Sequence, residues 1–328
     1  MRAAFYERTG PAREVLQLAD VATPEPGPGE VRVRLSTSGV NPSDVKSRAG
    51  LRSKELAFPR IVPHSDGAGT IDRVGDGVPA ARVGERVWVW NAAWKRAFGT
   101  AAQYVVLPAA QAVTLPAAVP FDVGACLGIP ALTALHAVRM DGGVEGKSVL
   151  VTGGAGAVGH YAVQMAKLCG ASRVLASVSS DEKAMAALQV GADAVIDYRS
   201  EDVASRVRGL TGGQGVDRVI EVDFAANVGA SLAALRPEGD IVVYGSGRPE
   251  IAVPFFPAIL KNVRLRFFIV YHLAPADRLA AIAQLTDWLN DGGLQHRIAA
   301  ALPLEEIAEA HELVESGRAT GNVVLTIG

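Results

Sequence analysis

Cysteine is nearly missing from this chain. Among its 328 residues only Cys126 and Cys169 carry thiols, too few and too isolated for a disulfide framework or a Cys-rich zinc site. A reducing compartment is expected. No segment approaches the roughly 18 apolar residues of a membrane span, and the opening MRAAFYERTG has no apolar signal core, so the expectation is a cytoplasmic protein without a membrane partner. One-sided charge is lacking as well. The formal net charge is −2 and no Lys/Arg block stands out, so the electrostatic footprint of a nucleic-acid partner is absent. Internal repeats and low-complexity segments are not found.

What is present is apolar residues in quantity. They make up 49% of the chain, enough for a large core, and the length suggests two domains. Up to about residue 120 the sequence offers short β-rich runs, EVRVRLSTSGV, GAGTIDRVG, ERVWVW and AAQYVVLPA, separated by Pro/Gly clusters such as PEPGPGE. These predict a small, irregular β domain. From about residue 125 the texture changes. IPALTALHAVRM has helical spacing, and the runs SVLVT, RVLASV, AVIDY, DRVIEV and DIVVYG then alternate with helical patterns. That alternation predicts a doubly wound α/β domain, whose parallel strands are buried on both faces. VRLRFFIVY reads as a further strand, followed by two amphipathic helices, the second ending on Gly317 as a left-handed cap, and by a terminal strand NVVLTIG. This tail is too long for an appendage and is expected to return to the first domain.

Chemistry concentrates at LVTGGAGAVGH. Gly154, Gly156 and Gly159 spell G-x-G-x-x-G between the strand KSVLVT and a helix. The first repeat of a βαβ series is where a helix N-terminus receives a pyrophosphate. Gly154 is expected to make the tight turn, Gly156 to let phosphates reach the backbone, and Gly159 to let the helix pack on the sheet, with Ala155, Ala157 and Val158 completing the loop. At the end of the next strand an acid would select NAD over NADP by binding the ribose. Here VLASVSSDEKA places Ser179 and Ser180 there, with Lys183 one turn on, which suits a 2′-phosphate and hence NADPH. If the strand runs longer, Asp181 is the ribose acid; otherwise Asp181 and Glu182 complement a helix N-terminus. Tyr198 ends the following strand and would flank the adenosine phosphate.

The ordered set GVNPSDVKSRAG, PHSDGAGTIDRVGDGV, GIPALTALHAV, VTGGAGAVGHYAVQMAK, VSSDEKAMAALQVGADAVIDYRSED and ESGRATGNVVL spans the chain. It resembles the quinone oxidoreductases of the zeta-crystallin type, in the medium-chain dehydrogenase/reductase superfamily. The resemblance implies an α/β protein with a GroES-like β-rich domain at residues 1–124, completed by 268–328, and a Rossmann domain at 125–267. It puts 2′-phosphate contacts on Ser179, Lys183 and Tyr198, and nicotinamide contacts on Asn41, Thr133, Gly245, Ser246, Phe267, Phe268 and Ile269. Asn322 stands where relatives often carry a basic residue reaching the cofactor phosphate. Arg52, in the implied substrate pocket, replaces an aromatic.

Zinc-dependent members of the superfamily have Cys at the position of Asn41, a His-Glu pair at Ser65 and Asp66, and a further Cys or Asp near Ile129. Catalytic zinc needs three suitable protein ligands, and only Asp66 qualifies; His64 is out of register, so no metal is expected. Without a Lewis acid the acceptor must stabilise its own charge, as a quinone does on becoming a hydroquinone anion. Asn41 would donate to the carboxamide or to a developing oxyanion. Asp44 is the second catalytic candidate, with orienting the loop or pairing with Arg48 as its other role. The expected activity is metal-free, NADPH-dependent hydride transfer to a quinone or similar conjugated carbonyl. Alternatives are an enone reductase, with Tyr104 or Tyr271 as proton donor, and a cofactor-binding structural or RNA-binding protein. The apolar VRLRFFIVY strand leads to a homodimer or homotetramer.

Overall fold

The computed structural model describes Met1–Gly328 and divides into two compact units, Met1–Pro130 with Gln284–Gly328, and Ala131–Ala283. No helix is long and apolar enough to cross a membrane.

The first unit is built on the strand Glu30–Val40, whose Val31, Val33 and Leu35 are buried. It pairs antiparallel with Asp66–Val74 and Tyr104–Pro108. Its far half pairs with the chain's last strand, Asn322–Thr326, with Val323 opposite Val40. Leu304, Ile307, Ala310, Val323 and Leu325 therefore share one core with Val31, Val33 and Ile71. The tail returns because Val323 and Leu325 bury themselves in that core. Gly317, at φ 63°, ends the helix Ile307–Glu315 in the left-handed conformation expected of it.

The second unit is a six-stranded sheet in the order Ala194–Asp197, Arg173–Val178, Ser148–Val151, Val216–Glu221, Leu235–Val243, Arg264–Phe267. All its pairings are parallel. The sheet grows to one side of Ser148–Val151 and then to the other, so the glycine loop leaves the strand at the topological switch point, where such folds bind ligands. This is the Rossmann arrangement, and the first unit is a GroES-like β domain.

Local details differ from the sequence pattern where tertiary partners run out. VRLRFFIVY is a strand only over Arg264–Phe267 and turns into a 3₁₀ segment at Val270–His272, because the neighbouring strand ends at Val243. IPALTALHAVRM begins with a π-helical turn, Leu127–Ala131, around Pro130, whose missing N–H cannot join an α ladder. The compact units part at 130/131 and 283/284. Residues just past the last strand stay with the second unit: Phe268 packs its ring on His136 at 4.8 Å, and Arg278 Nη2 donates to Val270 O at 2.6 Å.

Candidate functional site

The glycine loop runs from Val151 to the helix Ala157–Leu168, with Gly156 as its N-cap and no side chain capping it. The backbone N–H groups of Ala157, Val158 and Gly159 are the donors every helix N-terminus leaves over. The tight turn falls to Gly153, at φ 64°, and not to Gly154. A Cβ on Gly154 would stand 2.5 Å from Ala176 Cβ, and one on Gly159 2.1 Å from Gly153 O. These two glycines seat the loop against the neighbouring strand and against itself. A Cβ on Gly156 would meet only Gly153 O, at 3.3 Å, so this face is open to a ligand. The terminus fits a pyrophosphate by geometry and dipole.

Glu221, which the sequence reading passed over, braces this loop from below. It is fully buried at the end of DRVIEV. It accepts from Thr152 Oγ1 (2.9 Å), Asp223 N (2.8 Å), Asn227 Nδ2 (2.9 Å) and Ser231 Oγ (2.6 Å). Its one signal in the sequence is an acid that directly follows the apolar pair Val219 and Ile220. Ser177 Oγ, also unforeseen, accepts from Gly153 N at 3.1 Å.

At the adenosine end the strand stops at Val178 and Ser179 follows, buried. Ser180 caps the helix Asp181–Gln189, its Oγ accepting from Lys183 N at 3.3 Å. Asp181 is thus the first helical residue and Glu182 the second, which places them as complements of that terminus. Tyr198 N donates to Val178 O at 3.1 Å, so Ser179 and Tyr198 end adjacent parallel strands. Tyr198 is 53% exposed.

Farther along the sheet, a Cβ on Gly245 would lie 2.1 Å from Val222 O. Ser246 Oγ closes the next turn by donating to Arg248 O at 2.7 Å. Phe267 is exposed and stacks edge-on with Phe224 at 5.9 Å. Phe268 and Ile269 are half-buried, and Thr133 is buried in the helix Leu132–Arg139.

In the first unit Asn41 is the buried N-cap of the helix Pro42–Arg48. It forms a capping box with Asp44, whose Oδ2 accepts from Asn41 N at 2.9 Å. Asn41 Nδ2 donates to Asp66 Oδ2, also at 2.9 Å. Burial pushes the Asp44 carboxyl up to about 7, against its hydrogen bond from Asn41 and the charge of Arg52. Asp44 therefore orients Asn41; Arg48 pairs with Glu315 and Gly10 O instead. Arg52 is exposed beyond this helix. Asn322 is buried in the last strand and its Nδ2 donates to Arg297 O at 3.4 Å, an internal commitment. Tyr104 lies under the Arg32 guanidinium at 5.1 Å, and Tyr271 is buried.

The donor set does not fit a catalytic zinc. No group of three His, Cys, Asp or Glu side chains is gathered anywhere. Asp66 holds Asn41 and Ile129 N, and His64 is bonded to Ser38 and His311.

Residues 27–117 match the alcohol dehydrogenase GroES-like domain, and residues 157–289 the domain described as zinc-binding dehydrogenase. The human quinone oxidoreductase is 31% identical over 100% of this chain and 98% of its own. The chain belongs to the quinone oxidoreductase family of the medium-chain dehydrogenase/reductase superfamily. A 2-haloacrylate reductase of a Burkholderia species is also 31% identical, over 99% of this chain and 98% of its own. Among solved structures, an NAD-dependent alcohol dehydrogenase superposes with a TM-score of 0.91 at 34% identity, covering 100% of both chains. A mycobacterial protein solved with NADPH gives 0.90 at 31%, covering 99% of this chain and 100% of that one. Family membership thus accompanies a zinc-type domain match without a zinc-type donor set.

Proposed function

We propose that this oxidoreductase uses NADPH to reduce a quinone or a similar conjugated carbonyl, without a metal. The observation that carries the reading is Asn41 hydrogen-bonded to Asp66 at the position where zinc relatives place a ligand. When bound, NADPH supplies a hydride. The backbone N–H groups of Ala157, Val158 and Gly159 hold the diphosphate. Ser179, Lys183 and Tyr198 hold the 2′-phosphate, since Ser179 directly after the strand and Lys183 in the next helix offer hydroxyl and ammonium donors where an acid would repel it. Thr133, Gly245, Ser246, Phe267, Phe268 and Ile269 shape the nicotinamide surroundings, and Arg52 faces the acceptor. Asn41 contributes one polarised N–H donor, which is enough for an acceptor whose reduced form is a stabilised anion.

Enone reduction is the second reading, favoured by similarity to a protein named for reducing a 2-haloacrylate. The same reading includes a cytoplasmic homodimer. Arg264–Phe267 is an edge strand, flanked by Phe255, Phe256 and Leu260, which are 65, 71 and 79% exposed; a second copy would cover them. Multi-angle light scattering giving a monomer at micromolar concentration rejects the dimer. The function is tested by an acceptor panel of quinones, enones and simple ketones with NADPH and NADH, beside a salt-dependent gel shift. RNA binding without turnover would favour the structural or RNA-binding alternative.

A further inference from the structure

Asp66 is a buried acid with no cation. It opens the strand Asp66–Val74 and is 0% exposed. Oδ2 accepts two hydrogen bonds, from Asn41 Nδ2 and from Ile129 N, each 2.9 Å long. Oδ1 has no partner. The Gly128 backbone closes over it so tightly that a Cβ there would stand 2.3 Å from Oδ1. The acid that acts on it, Asp44, has the same sign and shares Asn41 with it. A carboxylate in this setting would carry its charge on an oxygen with no donor, in a core without a counter-ion, which is the costliest way to bury an acid.

We propose that Asp66 is a positioning residue, held as a neutral carboxylic acid whose carbonyl oxygen Oδ2 fixes the Asn41 amide in one orientation. The proton sits on Oδ1, because Oδ2 already receives two N–H groups. Burial and the neighbouring Asp44 hold this carboxyl well above the usual range. The π-helical turn is part of the device: Gly128 makes room for the acid and Ile129 supplies the second N–H. Asp44 locks the same residue through its backbone. Asn41 is therefore clamped from both sides and presents its amide without rotamer freedom. The proposal rests on Asn41 serving the nicotinamide or the oxyanion, as argued above.

Two measurements separate the proposal from that reading. Infrared difference spectra of wild type against Asp66→Asn at the pH of the assay, where the Asp44 band common to both proteins cancels, should show a carboxylic-acid carbonyl band that the variant lacks. Its absence overturns the neutral acid, whatever the enzyme turns over. In kinetics Asp66→Ala should lower kcat about 10- to 100-fold, the scale of a misplaced positioning group, with the KM for NADPH unchanged. Asp66→Asn should rescue kcat to within about threefold, since its amide oxygen accepts the same two N–H groups, and should keep the wild-type Tm if Asp66→Ala proves too unstable to assay. An Asp66→Asn variant as impaired as Asp66→Ala overturns the proposal. So does a damaging Asn41→Ala beside a silent Asp66→Ala. An Asn41→Ala variant with unchanged kcat instead overturns the reading of Asn41, while the infrared band still decides the state of Asp66.

Discussion

The Nε2 atoms of His64 and His311 lie 2.9 Å apart, and both rings are wholly buried. One imidazole must donate and the other accept, and the neighbours decide which. Thr100 Oγ1 donates to Asp66 O at 2.5 Å, so it accepts from Ser38 Oγ at 2.7 Å. Ser38 in turn accepts from His64 Nδ1 at 2.9 Å. His64 Nε2 is therefore the acceptor and His311 the donor, leaving His311 Nδ1 bare in the core.

The first prediction follows from that neutral pair. Burial pulls His64 down from 6.5 to about 3, and burial, the adjoining His64 ring and the Arg48 charge pull His311 well below its ordinary value. Between pH 6.5 and about 3 the unfolded chain takes up a proton that the native His64 ring refuses, and His311 refuses one in the same sense. The stabilisation is complete above pH 6.5 and is lost as the solution is acidified, with a slope of up to about 1.4 kcal/mol per pH unit for each imidazole. Asp44, raised from 3.8 to about 7, has the opposite sign: its contribution is present below 3.8 and lost as pH rises through 7. Urea denaturation from pH 5 to 8 should show less acid destabilisation in a His64→Asn/His311→Asn variant than in the wild type, because the opposing carboxyl contributions are present in both. An unchanged acid limb would reject the assignment.

Lys183→Ala should raise the KM for NADPH far more than that for NADH. Losing one charge-assisted phosphate contact costs about 1.5–3 kcal/mol, roughly 10- to 150-fold. Steady-state kinetics with both cofactors checks this. Equal use of the two by the wild type would make Asp181 the selector despite its place in the helix.

The loop glycines should separate folding from binding. In Gly159→Ala the new Cβ meets the Gly153 carbonyl oxygen at 2.1 Å, a backbone atom that cannot rotate away, so overpacking should cost about 1–3 kcal/mol of stability. Gly156→Ala meets nothing closer than 3.3 Å and should keep its Tm while weakening NADPH binding. Thermal melts and a fluorescence titration with NADPH read the two effects.

Catalytic efficiency should fall from quinone to enone to simple ketone and should survive chelators. One neutral donor supplies roughly 2.7–4 kcal/mol, too little for a saturated ketone. Asn41→Ala should therefore hurt enones more than quinones in the acceptor panel. Simple ketones turned over as well as quinones would refute the metal-free reading.

Neighbours in sequence were enough to read the strand, glycine loop and helix at 148–168, the Ser179 strand end and the apolar strand of the tail, because backbone period and turn chemistry are local properties. The compact units divide at 130/131 and 283/284, where Phe268 and Arg278 are held by packing that no periodicity encodes. Asp66 meets Asn41 and Ile129 across 25 and 63 residues, and His64 meets His311 across 247. A carboxyl's proton and an imidazole's tautomer depend on the burial and partners that such long-range contacts impose, so these states belong to the folded protein alone.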